Sequence, residues 1–216
     1  MEIPTNWTFK NRSVAEGFDR HVREQLPWYD LMSGAVAHVA RHYIGENGRV
    51  YDLGCSTGNI GNLLIDTLDE RNVEFHPVDN AEEMREMYVG PSEFELLDIR
   101  YMDFEPFDVA ISFLCLMFMS PSQRRLVLDK LVQSMKVGGA IIIVDKMEAE
   151  AGYLGTVMNR LTLAGKTATG VSADDIITKE LSLVGAQRPM SRKELPAHNA
   201  TEIFRFGEFA GWVIQG

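Results

Sequence analysis

One stretch constrains this chain more than any other: Arg49-Val50-Tyr51-Asp52-Leu53-Gly54-Cys55-Ser56-Thr57-Gly58-Asn59-Ile60-Gly61. A short β-prone run ends in an acid, and glycines follow at 54 and 58. Apolar residues at helical spacing (Ile60, Leu63, Leu64, Leu68) then begin at once. The pattern predicts strand, loop and helix in immediate succession. Glycine at 54 and 58 permits positive φ and removes the Cβ that would keep a ligand off the backbone. The new helix also points unpaired N–H groups into the loop, where a carboxylate or phosphate is favoured.

Spacing decides between ligands. A dinucleotide fingerprint requires G-x-G-x-x-G directly after the strand, with an acid about 20 residues on. This chain has G-x-x-x-G-x-x-G, with Asp52 ahead of the first glycine. No Gly-Lys-Ser/Thr follows, so a phosphate P-loop is excluded. The D-x-G-x-x-x-G arrangement resembles the first motif of the class I S-adenosylmethionine (SAM) dependent methyltransferases.

The rest of the chain suits an α/β protein. At 216 residues one α/β domain with additions is the default. The motif's resemblance implies that it is a single SAM-binding methyltransferase domain over 1–216, with 1–45 an N-terminal helical lid and 46–216 the sheet core. Helices are predicted at 12–24 and 30–43, then strands at 49–53, 73–78, 94–97, 107–113 and 140–144. Helices after the glycine loop, at 81–88 and at 122–136, alternate with these strands. That alternation implies a parallel sheet covered on both faces. Further helical segments are predicted at 149–164 and 173–184, and Thr201–Phe206 with Phe209–Ile214 reads as a hairpin around Gly207-Glu208. Pro77 conflicts with a central strand and has to lie at the strand's end.

A formal net charge of −10 argues against nucleic acid and anionic membrane as partners. Cys55 falls in the glycine loop and Cys115 in an apolar strand, with no metal-like spacing, so no metal and a reduced cytoplasmic setting are expected. No membrane-spanning run or signal-like N-terminus is read in the sequence.

In an open parallel sheet, ligands sit outside the carboxyl ends of the strands. The second strand ends in Val78-Asp79-Asn80, where a carboxylate can accept both hydroxyls of a ribose. Beyond the third comes Leu97-Asp98-Ile99, an acid for the adenine amino group and an apolar residue for its ring. Together with Asp52, Gly54 and Gly58, these residues predict a SAM site.

The whole chain resembles the carboxy-SAM synthase branch of the class I methyltransferases, which makes carboxy-SAM for a tRNA wobble uridine modification. Trp7-Thr8-Phe9, Val14-Ala15-Glu16, Pro27–Tyr29, Val50–Ser56, Asp79-Asn80, Asp98-Ile99-Arg100, Leu128-Asp129-Lys130, Gly138-Gly139-Ala140 and Phe204–Gly207 carry the likeness. The resemblance implies that Tyr29, Gly54, Cys55, Ser56, Asp79, Asn80, Asp98 and Ile99 line the cofactor site. It also implies a Rossmann-like class I methyltransferase fold, with a seven-stranded mostly parallel sheet, an antiparallel C-terminal hairpin strand, and a homodimer. Two positions depart from that branch. Phe113, itself expected at the cofactor site, stands where the family has an asparagine after strand four. Glu194, in the shortened segment 188–199, falls opposite the arginine that clamps the extra carboxylate of carboxy-SAM. An acid there repels a carboxylate.

The expected activity is therefore transfer of the sulfonium methyl group to a small-molecule acceptor. The alternatives are a carboxy-SAM synthase acting on SAM and prephenate, and a SAM-binding module without turnover. Methyl transfer asks mainly for placement of the acceptor, and no catalytic residue is assigned. Asp145 and Lys146, at the end of the strand through Ile141–Val144, are candidate bases or anchors, with a surface lysine the competing reading. Met117, Phe118 and Met119 suit an apolar acceptor wall or simply core, and Trp28 and Tyr29 a lid or an aromatic plug. His38 and His42 read as a helix-surface pair and His76 as structural. The motifs of amino-methylating and cytosine-methylating DNA enzymes are absent.

Overall fold

The computed structural model describes residues 3–149, 151–196 and 199–216. Helices α1 (Arg12–Gln25) and α2 (Tyr29–Arg41) lead into β1 (Arg49–Leu53), α3 (Asn59–Glu70), β2 (Glu74–Asp79), the short α4 (Glu82–Arg85) and β3 (Glu95–Leu96). Then come β4 (Phe107–Phe113), α5 (Pro121–Ser134), β5 (Met135–Lys146), α6 (Tyr153–Ala168), α7 (Ala173–Ser182), β6 (Ala200–Phe206) and β7 (Phe209–Gln215).

The strands form one seven-stranded sheet in the order β3-β2-β1-β4-β5-β7-β6. β1 to β5 run parallel, and β7 pairs antiparallel with both β5 and β6. The chain winds outward from β1 to β3 and then restarts on the other side at β4. That reversal opens a crevice above the carboxyl ends of β1 and β4.

Period-2 alternation assigns the strand residues to two cores. Val50, Val109, Ile111, Ile142 and Val144 face α1, α2 and α3, whereas Tyr51, Leu53, Ala110, Ile141 and Ile143 face α5 through Val127, Leu128 and Leu131. Helix α5 starts where its sequence dictates. Ser120 and Gln123 form a reciprocal capping box, and Pro121 occupies the first turn, where its missing N–H costs nothing.

Several element boundaries differ from the sequence reading. β3 is only two residues long, and the helix expected over 81–88 is a single turn. Glu82 and Glu86 repel one turn apart in that run, and Gly90-Pro91 closes it. β5 begins earlier than expected and takes in Val137-Gly138-Gly139. There β5 advances five residues (135 to 140) while β4 advances two (107 to 109), so the expected turn survives as an irregularity. The helix expected from 149 begins at Tyr153; residue 150 lies outside the described residues.

Pro77 lies inside β2, opposite Asp52. In a parallel strand alternate residues direct both backbone groups to the same neighbour. Glu74 N and Val78 O bond toward β1, so Pro77 faces the other side. There β3 begins only opposite Val78, and no ladder hydrogen bond is lost. Cys115 is not in a strand; it follows β4, in the turn that opens a short 3-10 helix at Leu116–Phe118.

Candidate active site

A cavity of about 280 Å³ occupies the crevice at the sheet's carboxyl edge, close to the lower end of the roughly 300–1,000 Å³ usual for small-molecule sites. Of the eleven residues expected to meet the cofactor, Tyr29, Asp52, Gly54, Cys55, Ser56, Asp79, Asn80, Ile99 and Phe113 line it. Gly58 and Asp98 do not.

The glycine loop is tied to the neighbouring strand. Gly54 N and Cys55 N both donate to Val78 O, at 2.8 and 3.0 Å. Gly54 has φ +76°, and a Cβ there would lie 2.7 Å from Cys115 Sγ, so only glycine fits the crossing with the turn after β4. Ser56, itself at φ 51°, turns its N–H onto Asp79 Oδ2 at 3.1 Å, and Ala81 N donates to Asp79 Oδ1 at 3.0 Å. Gly58 sits at φ +93° as the N-cap of α3, packed against Val89 O; its role is the turn itself.

Two carboxylates at this end are pushed toward the neutral form. Burial, and then the charge of Asp79, raises Asp52 to about 7. Burial also raises Asp79, against the opposing pull of the Ala81 and Ser56 N–H groups. Asp52 Oδ2 is buried without a hydrogen-bond partner, a vacancy a bound donor would fill. Each Asp79 oxygen keeps a free lone pair beside its backbone N–H. Asp52 and Asp79 therefore fit the donors of a nucleoside cofactor such as SAM.

Asp98 departs from expectation. Its carboxylate accepts from Arg100 N at 3.0 Å, Arg100 Nε at 2.8 Å and Asn80 Nδ2 at 3.2 Å, and it is ion-paired with the rest of the Arg100 guanidinium. The Arg100 bond holds it below the ordinary carboxylate range. The acid an adenine amino group would need is thus engaged by Arg100, while Leu97, Ile99 and Arg100 face the cavity.

N-terminal residues cover the opening. Trp7, Phe9, Phe18, His21, Val22 and Tyr29 line the cavity, and α1 is fastened to the glycine loop by Thr57 Oγ1 donating to Asp19 at 2.6 Å. Asn59 Nδ2 donates to Ser33 Oγ at 2.9 Å, which fastens α2 to α3. Trp28 is buried against Phe209 and does not line the cavity; Tyr29 meets Phe113 edge-on at 5.5 Å and does. Met117, Phe118 and Met119 supply the apolar wall beyond β4.

At the β5 end, Asp145 is fully buried and accepts from Leu116 N and Met117 N, which fixes the turn after β4. Lys146 is not a surface lysine. It lines the cavity and approaches Glu180 at 3.6 Å. Glu194 is withdrawn: it forms a two-pronged ion pair with the fully buried Arg124, at 2.8 and 3.0 Å. Residues 197–198 of that segment lie outside the described residues. His38 and His42 are exposed on α2, and His76 lies between Glu74 and Glu95, stacked on Tyr51. Among the described residues no cluster of His, Cys, Asp and Glu is arranged to hold a metal, and no helix is long and apolar enough to cross a membrane.

Sequence reasoning missed Trp7, His21, Lys166 and Lys179 as cavity residues. Their place follows from how the helices dock, not from the sequence pattern. The inward stripe of α6 is Gly155, Thr162 and Lys166, and that of α7 is Ile176, Lys179 and Ser182. A lysine on a buried stripe marks an internal site.

Comparison with known proteins agrees with this geometry. Residues 50–139 match the model of a methyltransferase domain. The chain therefore carries a methyltransferase domain over β1 to the start of β5. It is 28% identical over 196 residues to a carboxy-SAM synthase of Staphylococcus epidermidis, covering 88% of this chain and 86% of that protein. A carboxy-SAM synthase of Shewanella halifaxensis is 27% identical over 208 residues, covering 92% and 85%. Among solved structures, the plantazolicin methyltransferase BpumL in complex with S-adenosylhomocysteine (SAH) superposes with a TM-score of 0.59 at 12% identity, covering 95% of this chain and 90% of that one. Human N-acetylserotonin methyltransferase in complex with SAM gives 0.58 at 11% identity, covering 96% and 57%. A methyltransferase domain and a fold shared with SAM-dependent methyltransferases together make SAM the cofactor.

Proposed function

We propose that this methyltransferase transfers the sulfonium methyl group of SAM to a small-molecule acceptor held over β4 and β5. In this reading Asp79 receives the ribose hydroxyls, and Asp52 takes a further donor of the cofactor. Leu97 and Ile99 flank the adenine, and Asp98 positions Asn80 and Arg100 at the rim. Gly54, Cys55, Ser56 and the Gly58 turn supply backbone approach, and Tyr29 and Phe113 enclose the far side beneath the helical lid of residues 1–45. The observation that carries the reading is one continuous cavity from Asp79 to the apolar wall at Met117–Met119. SAM brings a methyl group already activated for displacement. The chain's own contribution is to place the acceptor in line and exclude water. Incubation with SAM carrying a labelled methyl group and a fractionated small-molecule extract is expected to give labelled product. Absence of label together with absence of SAH binding by calorimetry refutes the reading.

Similarity along 88% of the chain to a carboxy-SAM synthase supports a second reading, synthesis of carboxy-SAM from SAM and prephenate. Phe113, and an acid at position 194 in place of the arginine of the similar family, weigh against it. Mass spectrometry after incubation with both compounds separates the two; a carboxylated sulfonium product establishes the second.

A reducing, cytoplasmic setting is supported by the two free thiols, Cys55 and Cys115. A homodimer is supported by exposed Leu154, Ile177, Leu181 and Val184 around α6 and α7, and light scattering tests it. The formal charge of −10 favours a small acceptor over nucleic acid.

A further inference from the structure

The end of the cavity farthest from Asp79 holds cations in surplus. Lys146, Lys166 and Lys179 all line it, from the carboxyl end of β5, from α6 and from α7. Glu180 is the acid they share: Lys166 Nζ reaches it at 2.9 Å and Lys146 Nζ at 3.6 Å. Lys179 has no carboxylate within ion-pair distance among the described residues. Its Nζ instead lies over the Trp7 ring. His21 stacks on the other part of this lining, 5.0 Å from Trp7, and its Nε2 is buried without a partner. Lys166, Lys179 and His21 are each more than nine-tenths buried.

Three lysine side chains around one carboxylate leave basic groups in excess inside a largely apolar cavity. Buried cations are tolerated when a counter-ion completes them. Ordinary protein folding offers no reason to place two lysines on the inward stripes of two adjacent helices with one acid between them. A ligand anion supplies the reason. From β2, where Asp79 lies, to β5, where Lys146 lies, is three strand spacings, or about 14 Å. The cation cluster therefore stands on the acceptor's side of the cavity. Phe9, Met117, Phe118 and Leu183 surround it with apolar surface.

We infer that Lys146, Lys166 and Lys179, with His21, form an anion subsite that takes the carboxylate of an apolar or aromatic acidic acceptor. The inference rests on the methyl-transfer reading of the same cavity. Burial and the neighbouring Lys166 depress the Lys179 ammonium to about 5 in the empty cavity, so arrival of an anion is accompanied by proton uptake.

The shared chemistry is a carboxylate, and SAM carries one of its own. Two arms of one experiment separate these sources. Fluorescence from Trp7, in contact with Lys179 and His21, reports titration of SAH-saturated protein with aromatic monocarboxylates such as phenylacetate and phenylpyruvate, each against its neutral amide. The acids are expected to bind at least tenfold more tightly than the amides, and Lys179→Met to remove that preference while leaving SAH affinity within twofold. Equal binding of acid and amide, or no binding of any acid, overturns the inference. A tenfold loss of SAH affinity in Lys179→Met also overturns it, by assigning the cations to the cofactor's carboxylate. Lys166→Gln provides the second variant should Lys179→Met fail to fold. If wild-type protein does not bind SAH at all, the methyl-transfer reading has failed, and the acid-against-amide comparison on the unliganded protein still decides the subsite.

Discussion

Substituting Asp79 by asparagine tests the nucleoside end of the cavity most directly. The native carboxylate accepts from Ser56 N at 3.1 Å and Ala81 N at 3.0 Å and has one lone pair per oxygen left for a ligand. Asparagine keeps one of the two oxygens and replaces the other with a donor. One backbone N–H then loses its acceptor, at a cost of about 1–3 kcal/mol. Two ribose hydroxyls that shared a charged acceptor are left with one neutral oxygen. A hydrogen bond to a charged group contributes about 1.5–3 kcal/mol, so SAH affinity is expected to fall roughly 10- to 100-fold. Calorimetry with SAH measures the loss, and a thermal melt run beside it separates the loss from unfolding. The expected pattern is a small drop in melting temperature with a large drop in affinity. A folded Asp79→Asn protein that binds SAH within threefold of wild type refutes the assignment of the ribose to β2.

Three further outcomes follow from the structure. Asp52 has a folded-state value of about 7 against an unfolded value of 3.8, so between these values the folded state holds the extra proton and stability falls as pH rises. Asp52→Asn should remove that slope, so that thermal melts of variant and wild type diverge from pH 4 to 7, by an amount on the order of 4 kcal/mol at the upper end; parallel curves refute it. Arg124→Met takes the ion-pair partner from the part-buried Glu194, which keeps only Ser191 N, and should cost about 1–3 kcal/mol in chemical denaturation, whereas a variant with both residues made apolar recovers much of it. Gly54→Ala forces a Cβ to 2.7 Å from Cys115 Sγ at a positive φ, and a loss of SAH affinity of at least tenfold is expected by calorimetry.

Local chemistry explains what was legible from the sequence. The glycine loop, the apolar strand at Ile141–Val144 and the C-terminal hairpin each announce themselves through spacing or an unbroken apolar run, and each formed close to where expected. β3 and α4 did not, because a two-residue strand and a one-turn helix carry too few residues for any period to register. Pro77 was a false conflict. Proline forbids one hydrogen bond on one side, and the sequence cannot tell which side has a partner. At the site, the residues on strand ends could be read because parallel topology brings those ends together. Lys166 and Lys179 could not, since α6 and α7 follow the alternating βα units and nothing in the pattern says where they dock.

The Glu194 position shows how much charge depends on that docking. In the linear sequence an acid falls where the similar family has a carboxylate-clamping arginine, and the simplest reading is a cavity hostile to anions. In the fold, Arg124 on α5 takes both Glu194 oxygens, and Arg188 O and Pro189 O also accept from the Arg124 guanidinium. That network neutralises the acid outside the cavity and pins the segment entering the last hairpin. The cavity's β5 end then carries Lys146, Lys166, Lys179 and Glu180, three basic side chains to one acid. A protein with a formal charge of −10 thus gathers basic side chains at one end of its cavity, where the inferred subsite would meet an acidic acceptor. Because those side chains are enclosed by apolar residues, their charge is weakly screened by salt, and acid preference should persist in half-molar sodium chloride, where a surface attraction would vanish.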